Sequence, residues 1–313
     1  MTAMKLEERL EELRHLRTAS PETDVAPILR KALSDRSNLI VAEAAKIAGE
    51  LHCARLAPDL LVAFDRLFKD PAKTDAKCWG KTAIVRALTV LDHGEATPFL
   101  RAAAHIQMEP VWGGQEDFAV HLRASAVLAL VQCTDLTRSE VLRHLVDVLA
   151  DSADTVRIEA VRALEQMNGE ESATLLRLKA HLGDKRTAVV GQVFDSLLRL
   201  ERERAVEFVG RFLGDENPEV RDEAALSLGS SRLTAAVQVL VATWGKSRSP
   251  EFSSVLLRAL SASRQEAALQ FLLNLVRDGI TRDSTLALEA LALHSDSPEI
   301  QARVDQAKRD RTL

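Results

Sequence analysis

Residues 149–164 read LADSADTVRIEAVRAL, and residues 213–229 read LGDENPEVRDEAALSLG. The two stretches share one frame. Each has Leu two residues before an Asp, then Val five after it, Arg at six, Ala at nine, a small residue at twelve and Leu at thirteen. From Asp151 these are Val156, Arg157, Ala160, Ala163 and Leu164; from Asp215 they are Val220, Arg221, Ala224, Ser227 and Leu228. Positions five, nine, twelve and thirteen fall on one face of an α-helix. The small residues among them let a second helix approach closely. Before each Asp runs another amphipathic stretch, VLRHLVDVL (141–149) and AVEFVGRFL (205–213). The predicted unit is therefore helix A, a turn containing the Asp, and helix B, with Asn217-Pro218 forming a helix start.

Sliding the frame along the chain yields eight copies, anchored at Asp35, Asp75, Asp117, Asp151, Asp184, Asp215, Ser247 and Asp278. Their spacings are 40, 42, 34, 33, 31, 32 and 31 residues. The sixth position holds Arg123, Arg157 and Arg221, and Lys81 in the second copy. The copies at Asp184, Ser247 and Asp278 are degenerate. One helix pair cannot bury its own apolar face, so such units stack and share a core. The predicted fold class is all-α, an α-solenoid of about eight helix pairs. Met4–Arg17, with Leu6, Leu10, Leu13 and Leu16 at helical spacing, is predicted to be an N-terminal capping helix. The expected domain organisation is a cap over 1–20 and one continuous array over 21–313, with the polar stretch after Pro298 closing the far end.

The D-x4-V-R-x2-A-x2-A-L signature at Asp151, with its near match at Asp215, resembles the HEAT repeat family. The likeness is greatest to its short bacterial form, the PBS-lyase-type HEAT-like repeats, and runs from about Val25 to Arg303. The resemblance implies that the cation at position six pairs with loop Asp residues of adjacent units. It implies little about function, because solenoids host many functions. Tetratricopeptide repeats need aromatic positions that a chain without Tyr cannot fill, and the ankyrin T-P-L-H-x-A motif is absent.

Composition sets further bounds. A chain that is 46% hydrophobic and 28% charged is expected to fold. A formal net charge of -5 argues against a general nucleic-acid binder. The charged start MTAMKLEERLEELRHLRT has no apolar core of a secretory signal. No apolar run approaches the roughly 20 residues of a membrane helix. The three cysteines, Cys53, Cys78 and Cys133, are odd in number and form no C-x-x-C pair. A bacterial-type, cytoplasmic chain with reduced thiols is the expectation.

Gly80-Lys81-Thr82 imitates the end of a phosphate-binding loop. That motif needs a Gly five residues earlier, between a strand and a helix; the residue there is Asp75, and the preceding LLVAFDRLF is helical in pattern. In the repeat frame Gly80 takes the Val position and Lys81 the Arg position, so a role for Lys81 in pairing with Asp is expected.

Departures from the frame carry the functional expectation. Helix A ordinarily closes with an apolar residue two before the Asp, as at Leu33, Leu149, Leu182 and Leu213. In the second copy Leu67 lies eight before Asp75, with FKDPAKT inserted; in the third Ile106 lies eleven before Asp117, with about QMEPVWGGQ inserted. Both insertions fall in the A-to-B turn of adjacent units, so they are expected side by side on one edge, where insertions build binding surfaces. Gly113-Gly114 permits a tight turn of unusual φ.

The candidate partner-binding residues are Lys73, Lys77, Trp79 and Lys81 from the first insertion and its helix, and Glu109, Trp112, Gln115, Asp117 and His121 from the second. Two arrangements fit. Either the loops clasp each other, with Trp112, Val111 and Met108 plugging the gap and lysines pairing with acids, or they form a polar cleft with an aromatic wall that takes a peptide or small ligand.

No catalytic constellation, metal-ligand spacing or cofactor motif is present in the sequence. Cys78, between Lys77 and Lys81 near a helix start, has neighbours that lower a thiol pKa, but with no assured His partner it is read as a packed or semi-exposed thiol. The expected function is a non-catalytic protein-binding scaffold or adaptor without cofactors or metals, taking a protein or peptide on this edge and the concave face. The first alternative, implied by the resemblance to phycobilin lyases, is small-ligand handling with Cys78, His121 and Glu109 converging. The second is nucleic-acid repair or binding. It is disfavoured because the concave positions of helix B, including Glu43, Lys46, Arg86, Glu159, Arg162, Asp222 and Glu223, mix signs.

Overall fold

The computed structural model describes residues 3–18, 24–247 and 249–311. The expected boundary between residues 20 and 21 lies outside the described residues. The fold is all-α and of the α-solenoid class, with 19 helices among the described residues. It comprises two compact units, Met1–Gln166 and Met167–Leu313.

In the first unit α1 (Ala3–His15) precedes four helix pairs: α2 (Ala26–Leu33) with α3 (Asn38–Glu50), α4 (Ala57–Leu67) with α6 (Trp79–Val90), α7 (Thr97–Ala103) with α8 (Val120–Leu130), and α9 (Arg138–Val148) with α10 (Asp154–Met167). The insertion between α4 and α6 carries the short helix α5 (Pro71–Thr74). Helices α3, α6 and α8 pack in sequence as an inner layer, and α1 lies on α3. Leu13 of α1 is buried, with Leu6, Leu10 and Leu16 packed against the same core, so α1 caps the apolar face that α3 would otherwise expose.

In the second unit α11 (Gly169–Leu182) pairs with α12 (Thr187–Glu201), α13 (Glu203–Gly210) with α14 (Pro218–Ser230), α15 (Thr234–Trp244) with α16 (Pro250–Ala262), and α17 (Glu266–Asp278) with α18 (Thr281–Leu291). The inner layer is α12, α14, α16 and α18, and the last helix, α19 (Pro298–Arg311), packs on α17. Every frame position five, nine and thirteen quoted for Asp151 is buried, and so are Ala224 and Leu228 after Asp215.

Five of the anchor aspartates share one local role. The Oδ1 of Asp35, Asp117, Asp151, Asp184 and Asp215 accepts a hydrogen bond from the backbone N–H two residues on, at 2.8–2.9 Å. Each of these bonds fixes the residue that immediately precedes helix B, and so sets the turn from which the helix starts.

Inner helices approach closely because the frame keeps small residues. A Cβ built on Gly229 of α14 would lie 2.3 Å from the carbonyl oxygen of Ala259 in α16. Ala in place of Gly ordinarily gains roughly 1 kcal/mol in a helix interior. Gly229→Ala is nevertheless expected to lower stability, because separating two packed backbones costs about 1–3 kcal/mol or more. Urea unfolding tests this; an unchanged or higher midpoint would show that α14 and α16 do not pack at this distance.

Candidate functional site

The second insertion is not an irregular loop. Met108–Val111 (β1) and Gly114–Asp117 (β2) form an antiparallel hairpin in register Met108 to Asp117 and Val111 to Gly114. Trp112 and Gly113 make its two-residue turn, and Gly113 has φ +92°, a conformation that favours glycine. The hairpin's base meets the start of α6. Its hub is Gln107, a buried residue that was not singled out in the sequence. Gln107 Nε2 donates to Asp75 O at 2.8 Å and to Glu109 Oε1 at 2.6 Å. Its Oε1 accepts from Cys78 Sγ and faces His105 Nε2, each at 3.1 Å. The amide thus uses both donors and its acceptor to join the two insertions. Glu109, also buried, accepts the Lys77 backbone N–H at 2.7 Å.

These bonds hold a strained backbone. Lys77 and Cys78 are consecutive non-glycine residues in the left-handed region, at φ 60° and 56°, each costing of order 1 kcal/mol. The kink sits immediately before α6 and sets the direction in which Lys77 and Trp79 leave the chain.

The Gly80-Lys81-Thr82 triplet has its own explanation. Asp75 Oδ1 accepts from Gly80 N at 2.7 Å and Oδ2 from Lys81 N at 2.9 Å. The chain's own carboxylate therefore sits on the amides where a phosphate loop would hold its ligand. A Cβ on Gly80 would lie 2.6 Å from Leu67 Cδ1 and 3.1 Å from Asp75 Oδ1, which accounts for Gly at the usual Val position. Lys81 Nζ lies 3.1 Å from Asp75 Oδ2, with both side chains fully buried, and donates to Leu67 O at 3.3 Å. Asn38 of the preceding unit donates to the same Asp75. Lys81 is thus a structural ion-pair residue of its own repeat, a correction to its candidacy for partner contact and to the expected pairing with an adjacent unit's Asp. Arg123 does make the expected link: Nη1 donates to its own Asp117 at 2.7 Å, while Nε and Nη2 donate to Asp151 of the next unit at 2.8 and 3.1 Å.

A groove of about 1050 Å³ runs over the inner layer of the first unit. Its apolar lining includes Leu39, Ala42, Ala83, Ala87 and Val90. Arg14, Lys46, Lys77 and Arg86 line it together with Glu43, Glu50, Glu116 and Asp117, four cations against four acids. Several are already engaged: Glu43 with Arg17 at 2.8 Å, Glu50 with Lys46 at 3.8 Å, and Arg86 with Ser125 at 3.1 Å. Lys77 instead stands over two rings, 5.6 Å from the Trp79 centroid and 5.8 Å from that of Phe118.

Of the nine candidates, Lys77, Trp79, Asp117 and His121 line this groove. Lys73 is exposed and pairs with Asp70 at 2.7 Å. Glu109 belongs to the buried clasp, and Gln115 is exposed on β2 opposite Pro110. Trp112 is fully exposed at the hairpin tip, and Met108 and Val111 are exposed as well. The insertions do clasp each other, but through Gln107 and Glu109; the expectation that Trp112, Val111 and Met108 plug the gap is overturned. Ile106 is exposed too, because helix A of this unit has already ended at Ala103.

The electrostatics follow from the packing. Burial pushes the Cys78 thiol up to about 12, outweighing the nearby Lys81 ammonium, so this is a packed thiol and not an activated one. Burial also lowers His105, against the hydrogen bond to Gln107. For Asp117, burial works upward, but the N–H groups of Gln107 and Ala119 and the Arg123 guanidinium hold it below the usual carboxylate range. Among the described residues, no group of three or more His, Cys, Asp or Glu side chains is placed to hold a metal ion.

Comparison with known proteins adds the following. A family model described as HEAT repeats matches residues 177–255 and 212–292. Among solved structures, human deoxyhypusine hydroxylase in complex with glycerol aligns over 85% of this chain and 100% of its own, at 19% identity and a TM-score of 0.32. The E. coli protein YibA aligns over 93% of this chain and 98% of its own, at 13% identity and a TM-score of 0.49. No curated protein matches. No helix among the described residues is long and apolar enough to cross a membrane.

The clasp and the hairpin tip should separate on mutation. Gln107→Ala removes the acceptor of Cys78 Sγ and the partner of His105 Nε2, and leaves Glu109 Oε1 and Asp75 O with only the Lys77 and Cys78 backbone donors, so a loss of about 1–3 kcal/mol is expected. Trp112→Ala removes a side chain that is fully exposed and should leave the thermal midpoint unchanged. Melting curves of the two variants check this; equal midpoints would contradict the clasp.

Proposed function

We propose that this HEAT-repeat protein is a non-catalytic scaffold whose first unit receives a peptide segment of a partner protein in the groove over α3, α6 and α8. The observation that carries the proposal is the half-exposed Trp79 beside Lys77 at an apolar groove lined by small residues. Trp beside a cation is a common binding anchor, with one face for an apolar side chain and a charge for a carboxylate. Among the described residues Lys77 has no carboxylate partner, and its backbone is pre-set by the clasp, so little ordering is left for binding. The matching segment carries an apolar side chain for the small-residue floor and an acidic residue for Lys77. Phe118 and His121 extend the same lining. The balance of four cations and four acids disfavours a nucleic-acid backbone, which requires many cationic contacts.

One observation favours a second occupant, a small molecule: the groove volume is near the upper end for ligand pockets, which span about 300–1,000 Å³. Cys78 would not be an attachment point, since it is buried under the hairpin base with a raised pKa.

Panning a random peptide library against the intact protein tests the proposal. Selected peptides should share an apolar residue near an acidic one, and should lose about tenfold or more in affinity with Trp79→Ala or Lys77→Glu, equivalent to roughly 1.4 kcal/mol. Peptides that bind both variants as well as the parent would contradict the groove as the site. A small molecule retained in native mass spectrometry of the parent, and lost with Trp79→Ala, would favour the second occupant.

A further inference from the structure

In the first unit the forward-reaching atom of the position-six arginine meets the next anchor: Arg123 Nε donates to Asp151 Oδ2 at 2.8 Å. The corresponding pair in the second unit is Arg221 and residue 247, and residue 247 is Ser. Arg221 keeps the backward half of the pattern. Its Nη1 donates to Asp215 O at 3.4 Å, as Arg157 Nη1 donates to Asp151 O at 2.8 Å. The forward half is missing. Arg221 Nε, the same atom that carries the link in Arg123, is buried with no hydrogen-bond partner. Among the described residues neither Arg221 nor Lys246 has a carboxylate within ion-pair distance. Burying a charged donor without an acceptor is costly.

A cavity of about 420 Å³ lies at this point, lined by Arg221, Thr243, Lys246, Ser247, Ser249 and Phe252 among others. The Phe252 ring is 5.4 Å from the guanidinium carbon and walls one side. Ser249 is the N-cap of α16, with its Oγ accepting from Phe252 N at 3.2 Å. Ser247 Oγ donates to Ser249 O at 3.3 Å and accepts from Ser253 Oγ at 3.2 Å. The nearest acid in sequence, Glu251, accepts from Ser249 Oγ at 2.8 Å and is not part of the lining.

We propose that this cavity binds an oxyanion, and that the anion takes the place that the Asp151 carboxylate holds against Arg123. Arg221 Nε and the Lys246 ammonium supply the charge and the donors, while the Ser247 and Thr243 hydroxyls donate to the carbonyls of Ser249 and Val239 and only line the wall. Two cations and no facing acid match a dianion, so a phosphate group is preferred over a single carboxylate. The volume leaves room for a small organic group attached to that phosphate. The degenerate seventh repeat is, on this account, a repeat whose fixed anchor has been exchanged for an exchangeable one.

The test is thermal unfolding of the full chain in sodium phosphate, sodium acetate and sodium chloride at equal ionic strength. The parent should show a saturable rise in midpoint with inorganic phosphate, a smaller one with acetate and none specific to chloride. Ser247→Asp should raise the midpoint without added anion and abolish the phosphate response, because a tethered carboxylate then occupies the site. Lys246→Ala, at an exposed position, should leave the anion-free midpoint unchanged and weaken phosphate about tenfold. A phosphate response no greater than that of chloride, or one retained in Ser247→Asp, would overturn the proposal. A larger response to acetate than to phosphate would overturn the assignment to a dianion.

Discussion

The carboxylate at the A-to-B turn is the interaction on which the rest depends. A helix B begins with backbone donors that have no partner inside the helix. In most repeats the anchor Asp accepts the N–H of the residue immediately before that start, so the turn is set where the helix begins. The same carboxylate is then available to a cation of the unit before it. Arg123 uses this to fix the third repeat to the fourth, and Arg9 of α1 pairs with Asp35 to fix the cap to the first. One side chain therefore sets both local geometry and repeat-to-repeat register, and the small residues of helix B decide how closely that register packs.

The inserted segments modify this scheme without leaving it. Asp75 reaches further along its helix, to Gly80 and Lys81, and buries the lysine that occupies the arginine position. Gln107 and Glu109 then bind the turn that results and hold Lys77 and Cys78 in left-handed backbone. The consequence appears at the groove, where Lys77 and Trp79 face an apolar lining of small residues. Structural strain, a buried clasp and an exposed aromatic anchor thus belong to one causal sequence. A replacement in the clasp should therefore disturb both stability and the groove.

Much of this was legible in the sequence because repetition makes each position a comparison. The helix pairs and the adjacency of the two insertions followed from the frame, and the capping α1 from its leucine spacing. The hairpin did not, since two four-residue strands with a proline and three acids carry no alternating pattern; Gly113 marked only its turn. Gln107 was invisible because a lone glutamine has no periodic signal, and its importance comes from four partners brought together by the fold. Lys81 and Trp112 were misjudged for opposite reasons. A lysine beside an inserted loop looks exposed but is fully buried here against Asp75. A tryptophan looks like a plug but is lifted to the tip by a two-residue turn. Ser247 was seen as degeneracy; only the orphaned Nε of Arg221 gives it a meaning.

If anchor carboxylates carry the register, the link between Arg123 and Asp151 should hold energy beyond what each side chain contributes alone. A double-mutant cycle of Arg123→Met and Asp151→Asn, read by urea unfolding, measures this directly. A coupling energy of about 1–3 kcal/mol is predicted, since the pair is bidentate and largely buried. Changes that add to within about 0.3–0.5 kcal/mol would contradict the account, and would leave helix packing alone as the source of the repeat register.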